Sequence, residues 1–209
     1  MDISTVLVLA PHPDDGEFSC GGALKRLSEE GKKIYYAAFS PCKKSLPEDA
    51  EKGLLFKELN KAVSHLGIAE NQVITFDFPV REFPKYRQEI LEELVSLKKK
   101  LNPELVFLPN SNDIHQDHKT IYEEGLRAFK HIKILGYELP WNNRQFKSDF
   151  FIKLEKDHID AKIAAISEYK SQSFRTYKDK EFFYGLAKVR GIQANTEYAE
   201  AFELIKWVL

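Results

Sequence analysis

The 209 residues include only two cysteines, Cys20 and Cys42, too few for a disulfide framework. No stretch approaches the ~20 consecutive apolar residues of a membrane-spanning helix. Neither sign of charge dominates: 31 Lys and Arg stand against 32 Asp and Glu, a formal net charge of −1. The charge balance therefore gives no electrostatic reason to expect nucleic acid as a partner. The opening MDISTVLVLAPH lacks the basic segment and long apolar run of a secretory signal, so the cytoplasm is the expected compartment. Three fingerprints are also missing. Without G-x-G-x-x-G after the first strand, or G-x-x-x-x-G-K-[ST] anywhere, a nucleotide-binding module is disfavoured. Without G-x-S-x-G, so is a serine hydrolase. Repeats, low-complexity tracts and Ser/Gly linkers are lacking as well. What remains is ordinary globular composition, 43% hydrophobic and 30% charged, in a chain long enough to bury a substantial core.

Strand and helix signals alternate through the first two thirds. VLVLA (6–10), KIYYAAF (33–39), QVITFDF (72–78), ELVFL (104–108) and IKILGYEL (132–139) read as strands. Helical patterns fall between them, at about 21–30, 48–66, 86–101 and 119–129. Gly67 closes the second at a position suited to a left-handed residue. Lys98, Lys99 and Lys100 end the third, where cations favour the helix dipole. Strands separated by helices of this length predict an α/β fold, a Rossmann-like, mostly parallel sheet covered by helices on both faces. After Leu139 the rhythm changes. Pro140-Trp141-Asn142-Asn143 reads as a loop, FFIKL (150–154) as a strand, 158–172 as a helix and 198–208 as a terminal strand. The expected organisation is one domain over 1–209, with a core to about 139 and a C-terminal portion folded onto it.

In open parallel sheets ligands bind beyond the carboxyl ends of the strands. The first strand ends in Pro11-His12-Pro13-Asp14-Asp15, and the fourth runs on into NSNDIHQDHKT with His115, Asp117 and His118. A lone histidine after a strand is ordinarily a loop residue, and adjacent carboxylates repel unless a cation is near. Two clusters of matching composition at one sheet edge point instead to a metal. His12 and Asp15 are three apart, as are His115 and His118, a spacing that puts both side chains on one face of a helical turn. Two imidazoles and one carboxylate leave a coordination position for water, as in catalytic zinc sites. His65, His131 and His158 stand alone and read as structural, Cys20 reads as a small packing residue, and Cys42 has no partner signature.

APHPDDGEFSCGG resembles the A-H-P-D-D...G-G signature of the LmbE-like (PIG-L) N-deacetylases, and NDIHQDH resembles their H-x-D-H element. Pro11 is inserted between the alanine and the histidine of that signature. The likeness covers nearly the whole chain, through the strand order and the C-terminal stretches YKSQSFRTY and YAEAFE. It implies one zinc ion per chain, held by His12, Asp15 and His118, with other divalent metals compatible. It makes Asp14 the general base, and it sets His115 where an imidazolium would stabilise the oxyanion or protonate the leaving amine. The rate would then be bell-shaped in pH. Asp117, between the two histidines, is expected to orient an imidazole. Arg81 falls where relatives carry a substrate-contacting arginine. Arg175, Tyr177, Arg190 and Glu200 belong to the C-terminal likenesses and read as structural before substrate-binding.

The expected function is zinc-dependent removal of acetyl from an N-acetylated amino sugar, free or carried on a nucleotide, lipid or thiol. The partner is that small molecule, and a homo-oligomer is compatible with the sequence. Two alternatives remain. Two histidines and a carboxylate also make the facial triad of iron(II) oxygenases, although Asp14 beside the triad favours hydrolysis. A non-catalytic sugar- or nucleotide-binding module would share the core. Gly21-Gly22 suits either close helix–strand packing or an anionic group at a helix terminus, and the aromatic PWNN loop suits stacking on a sugar ring.

Overall fold

A computed structural model describes residues 3–46, 51–172 and 179–208. The apolar run after the N-terminus forms β1 (Thr5–Ala10), and four further strands lie parallel in the same sheet. These are β2 (Lys33–Ala38), β3 (Val73–Thr75), β4 (Leu105–Pro109) and β5 (Lys133–Tyr137). Two strands from the C-terminal portion, β6 (Phe150–Leu154) and β7 (Tyr198–Lys206), extend the sheet antiparallel, giving the order β3-β2-β1-β4-β5-β7-β6. No helix among the described residues is long and apolar enough to cross a membrane.

Alternation along β1 explains the layers. Val6, Val8 and Ala10 face one core with Phe18, Leu24, Leu59, Val63 and Ile166, while Leu7 and Leu9 face a second with Ile90, Leu94, Ile121 and Phe129. The first layer comprises α1 (Asp15–Glu29), α2 (Leu54–His65) and α5 (Lys156–Ser167); the second comprises α3 (Arg87–Leu101) and α4 (Gln116–Ala128). With both faces covered, a strand must be apolar on both sides, and all five residues of β4 are buried.

Several boundaries depart from the sequence expectation. Helix α1 starts at Asp15, not near Gly21, with Asp14 at its N-cap position. It is kinked at Cys20 (φ −128°, ψ 18°). Glu200 of β7 takes up the backbone donors freed there, accepting from Gly22 N at 3.1 Å and Ala23 N at 2.7 Å. The anion at Gly21-Gly22 is thus the chain's own. A Cβ at Gly22 would lie 2.6 Å from Leu154 Cδ1, so the glycine also permits close packing. Helix α4 begins three residues before its expected start, at Gln116, and β3 stops at Thr75. A helix not foreseen, α6 (Lys180–Gln193), buries Phe183, Ala187 and Gly191 at four-residue intervals and is capped by Asp179, whose side chain accepts from Glu181 N.

Candidate active site

Strand order reverses between β1 and β4, the place where open α/β sheets form a crevice. Both histidine-aspartate clusters emerge there. The turn after β1 is closed by Asp15 N donating to His12 O, while Asp15 Oδ2 accepts from His12 N at 2.8 Å. After β4, Asp113 Oδ1 accepts from His115 N at 2.9 Å, and His115 caps α4 by accepting Asp117 N on its Nδ1 at 3.2 Å. Trp141-Asn142-Asn143 supports this second segment: Ile114 N donates to Asn142 O, and Asp113 forms a β-bridge with Asn143.

Three atoms converge at the crevice. His12 Nδ1, Asp15 Oδ2 and His118 Nε2 are each 3.2 Å from the other two. Zinc bonds of about 2.0–2.2 Å in a tetrahedron would set ligand atoms roughly 3.3–3.5 Å apart, close to this triangle. The outer ring nitrogens are already engaged, His12 Nε2 with Asp117 Oδ2 at 3.0 Å and His118 Nδ1 with Asp113 Oδ2 at 2.7 Å. Carboxylates in that position fix the tautomer and turn the inner nitrogens' lone pairs toward a metal. His115 stands beside them. His12, His115 and His118 offer ligand atoms all within 4.8 Å of one another, a group able to hold a metal ion.

The electrostatics call for a cation. Burial opposes charge on His118, yet Asp15 and Asp113 push it up to about 10. Burial likewise opposes charge on His12, and Asp15 and Asp117 still raise it. Against its own desolvation, Asp15 is held well below the usual carboxylate range by His118 and His12. The carboxylates on both sides of these imidazoles make the spot favourable to positive charge, and the donor set fits zinc.

His115 differs. Burial, then the positive charge of His118 and His12, lowers its pKa to about 4, which disfavours the expected imidazolium. Its Nδ1 accepts a backbone N–H, which leaves its proton on Nε2. Asp117, in turn, orients a histidine of the other motif: besides His12 it accepts Arg81 N at 2.6 Å and Phe83 N at 3.2 Å. Arg81 adopts a left-handed backbone (φ 67°) and donates through its guanidinium to Lys44 O.

A cavity of about 470 Å³ opens over the triangle, lined by Asp14, Arg81, His115, Trp141 and Gln172 among others, with Cys42 in its wall. Trp141 packs edge-on against Phe18 at 5.4 Å. Behind the turn, burial pushes Glu17 up to about 8 against the hydroxyls of Tyr169 and Tyr36.

The other residues singled out in the sequence lie elsewhere. Arg190 pairs with Glu138, and Glu200 with Lys162 at 2.6 Å. His158 bonds Glu29 and His65 bonds Glu168, while Cys20 is buried, its thiol raised by desolvation and by Glu200. Arg175 and Tyr177 fall outside the described residues. Asp113 was missed in the sequence; its place two residues before His115, within the same strand-end cluster, was the available signal.

Comparison with known proteins bears on the same region. A family model described as PIG-L, GlcNAc-PI de-N-acetylase, matches residues 7–129. The chain is 29% identical over 174 residues to the uncharacterized deacetylase YaiS of Escherichia coli K12, covering 79% of this chain and 90% of that one. It is 26% identical over 165 residues to the diacetylchitobiose deacetylase of Thermococcus kodakarensis, covering 77% of this chain and 59% of the relative's length. The fold resembles that of the N,N'-diacetylchitobiose deacetylase from Pyrococcus horikoshii, with a TM-score of 0.80 at 21% identity, covering 97% of this chain and 84% of that one. With the family model spanning the β1 turn and the α4 cap alike, the chain belongs to the PIG-L family of de-N-acetylases.

Proposed function

We propose that the protein is a zinc-dependent N-deacetylase, hydrolysing the acetamide of an N-acetylated amino sugar or sugar conjugate. The observation that carries this reading is the triangle of His12, Asp15 and His118 at the floor of a cavity shared with Asp14 and His115. His12 Nδ1, Asp15 Oδ2 and His118 Nε2 would hold one zinc ion. Zinc supplies a Lewis acid that lowers the pKa of water to near ~7 and polarises the amide carbonyl.

The chain's own groups carry the rest. Asp14 takes a proton from the attacking water on a carboxylate oxygen as the O–C bond forms. His115 donates its Nε2 proton as a hydrogen bond to the oxygen that becomes negative. Asp14 then returns its proton to the amine nitrogen as the C–N bond breaks, releasing the free amine and acetic acid, which loses its remaining proton to solvent. Trp141 offers a face for a sugar ring, and Arg81 lies at the rim for polar substituents. The continuous sheet from β3 to β6 supports treating residues 1–209 as one domain.

Acetate release from a panel of N-acetylated sugars tests the reading, using zinc-reconstituted protein with dioxygen excluded. The panel spans N-acetylglucosamine, diacetylchitobiose, a nucleotide sugar and a thiol conjugate. Turnover of at least one member is expected, and it should fall by ~10²- to 10⁴-fold in Asp14→Asn with the metal retained. No acetate from any member, or turnover only with iron and oxygen, overturns it.

A further inference from the structure

A buried polar cluster behind the β1 turn takes no part in the chemistry above. Two tyrosine hydroxyls, Tyr36 of β2 and Tyr169 just beyond α5, each lie 2.8 Å from the carbonyl oxygen of Pro13, and each has a single proton to share between that oxygen and Glu17. The Glu17 carboxyl bridges the same hydroxyls, Oε2 to Tyr36 at 2.5 Å and Oε1 to Tyr169 at 2.6 Å. Gly16 N donates to Tyr36 Oη at 3.0 Å. All three side chains are fully buried.

We propose that Glu17, Tyr36 and Tyr169 form a positioning device that aims Asp14 and sets the His12–Asp15 spacing by clamping the Pro13 carbonyl. The clamp rests on the deacetylase reading for its kinetic consequence and on the metal triangle alone for the rest. Pro13 is the residue between His12 and Asp14. Its ring fixes φ, and the peptide to Asp14 is planar, so holding that carbonyl from two sides fixes the Asp14 nitrogen and the start of α1. Glu17 sits one turn into α1 and ties the two hydroxyls together. Each thereby comes to the carbonyl from a different element, one from the parallel core and one from the C-terminal portion.

Packing alone does not account for this arrangement. Burying a carboxyl and two hydroxyls costs free energy that apolar side chains of similar volume would avoid. Local sequence is adapted to it as well: a Cβ at Gly16 would lie 2.5 Å from the Tyr36 ring, so only glycine lets Tyr36 approach the turn. Misplacement of a reacting group by about 1 Å can cost ~10²-fold in rate, and the base and two metal donors share this four-residue turn.

Three variants test the clamp: Glu17→Ala, Glu17→Gln and Tyr169→Phe. An amide can donate to one hydroxyl and accept from the other, so Glu17→Gln should recover most of what Glu17→Ala loses. For folded protein, Glu17→Ala and Tyr169→Phe should weaken zinc binding about 10- to 100-fold by chelator competition, as loss of other outer partners does. They should also lower kcat by a similar factor at unchanged KM. A purely structural role would lower Tm and leave zinc affinity and kcat per bound zinc at wild-type values; that result overturns the proposal. If Glu17→Ala does not fold, Tyr169→Phe, which keeps the ring, decides. If the wild type releases no acetate, the deacetylase reading fails, and zinc affinity alone decides the clamp.

Discussion

The carboxylate of Asp117 lies 3.0 Å from Nε2 of His12, 105 positions earlier in the chain. The second motif therefore holds a side chain of the first, and through Arg81 N and Phe83 N the same carboxylate also holds the loop after β3. Asp117→Ala should weaken metal binding by ~10- to 100-fold, read by competition with a fluorescent chelator. Asp113→Ala should do the same through His118. Wild-type affinity in either variant would remove that carboxylate from the support of the site.

Metal content separates the two ligand sets that the geometry offers. His115→Ala should keep one equivalent of zinc, whereas His12→Ala and His118→Ala should lose it. Equal loss from all three would make the three-histidine group the ligand set and leave Asp15 as a neighbour.

His115 should contribute to rate without shaping the pH profile. Its pKa is lowered to about 4 by burial and by His118 and His12, which favours the neutral imidazole near neutral pH. The expected imidazolium, and with it an alkaline limb owed to His115, is not what this environment favours. Removing the Nε2 donor in His115→Ala should lower kcat/KM by ~10²- to 10³-fold, the usual scale for one oxyanion donor. The two pH profiles should run parallel. Disappearance of an alkaline limb in the variant would restore the charged form.

Glu200 and Gly22 join the C-terminal strand to the first helix. Glu200→Ala would leave Lys162 buried without its carboxylate and the kink in α1 without its acceptor. A loss of about 3–5 kcal/mol is expected. Gly22→Ala drives a methyl against Leu154, for about 1–3 kcal/mol. Denaturant titration measures both, and a loss under 1 kcal/mol for Glu200→Ala would mean that water replaces the cap.

What could be read in advance divides along physical lines. Strands β1, β4 and β5 were legible because burial on both faces makes each a near-continuous apolar run, whereas the half-buried edge strand β3 was drawn too long. The two strand-end clusters were legible because donor-rich residues there have no packing reason to gather. Helix α6 was not, since two glycines interrupt it and its buried stripe is one residue wide, Phe183, Ala187 and Gly191. Glu17, Tyr36 and Tyr169 were invisible for a different reason. Each acts on an atom brought near by the fold, and a glutamate or tyrosine in sequence carries no mark of the partner it will meet. The lowered pKa of His115 likewise depends on burial and on the charges of His118 and, from the other motif, His12.

Completion of the turn after β1 is a matter of timing as well as of geometry. Glu200 reaches Gly22 across 178 positions, and Tyr169 reaches Pro13 across 156. During synthesis at ~5–20 residues per second, roughly 10–40 s would separate the emergence of His12 from that of the strand that finishes its helix. A ribosome-bound fragment ending before His118 has only part of the donor triangle, and one ending before Tyr169 lacks half the support of the Pro13 carbonyl. If the triangle holds zinc as proposed, its uptake would be coupled to the last stage of folding, and prematurely terminated chains should emerge without metal instead of as partly active enzyme.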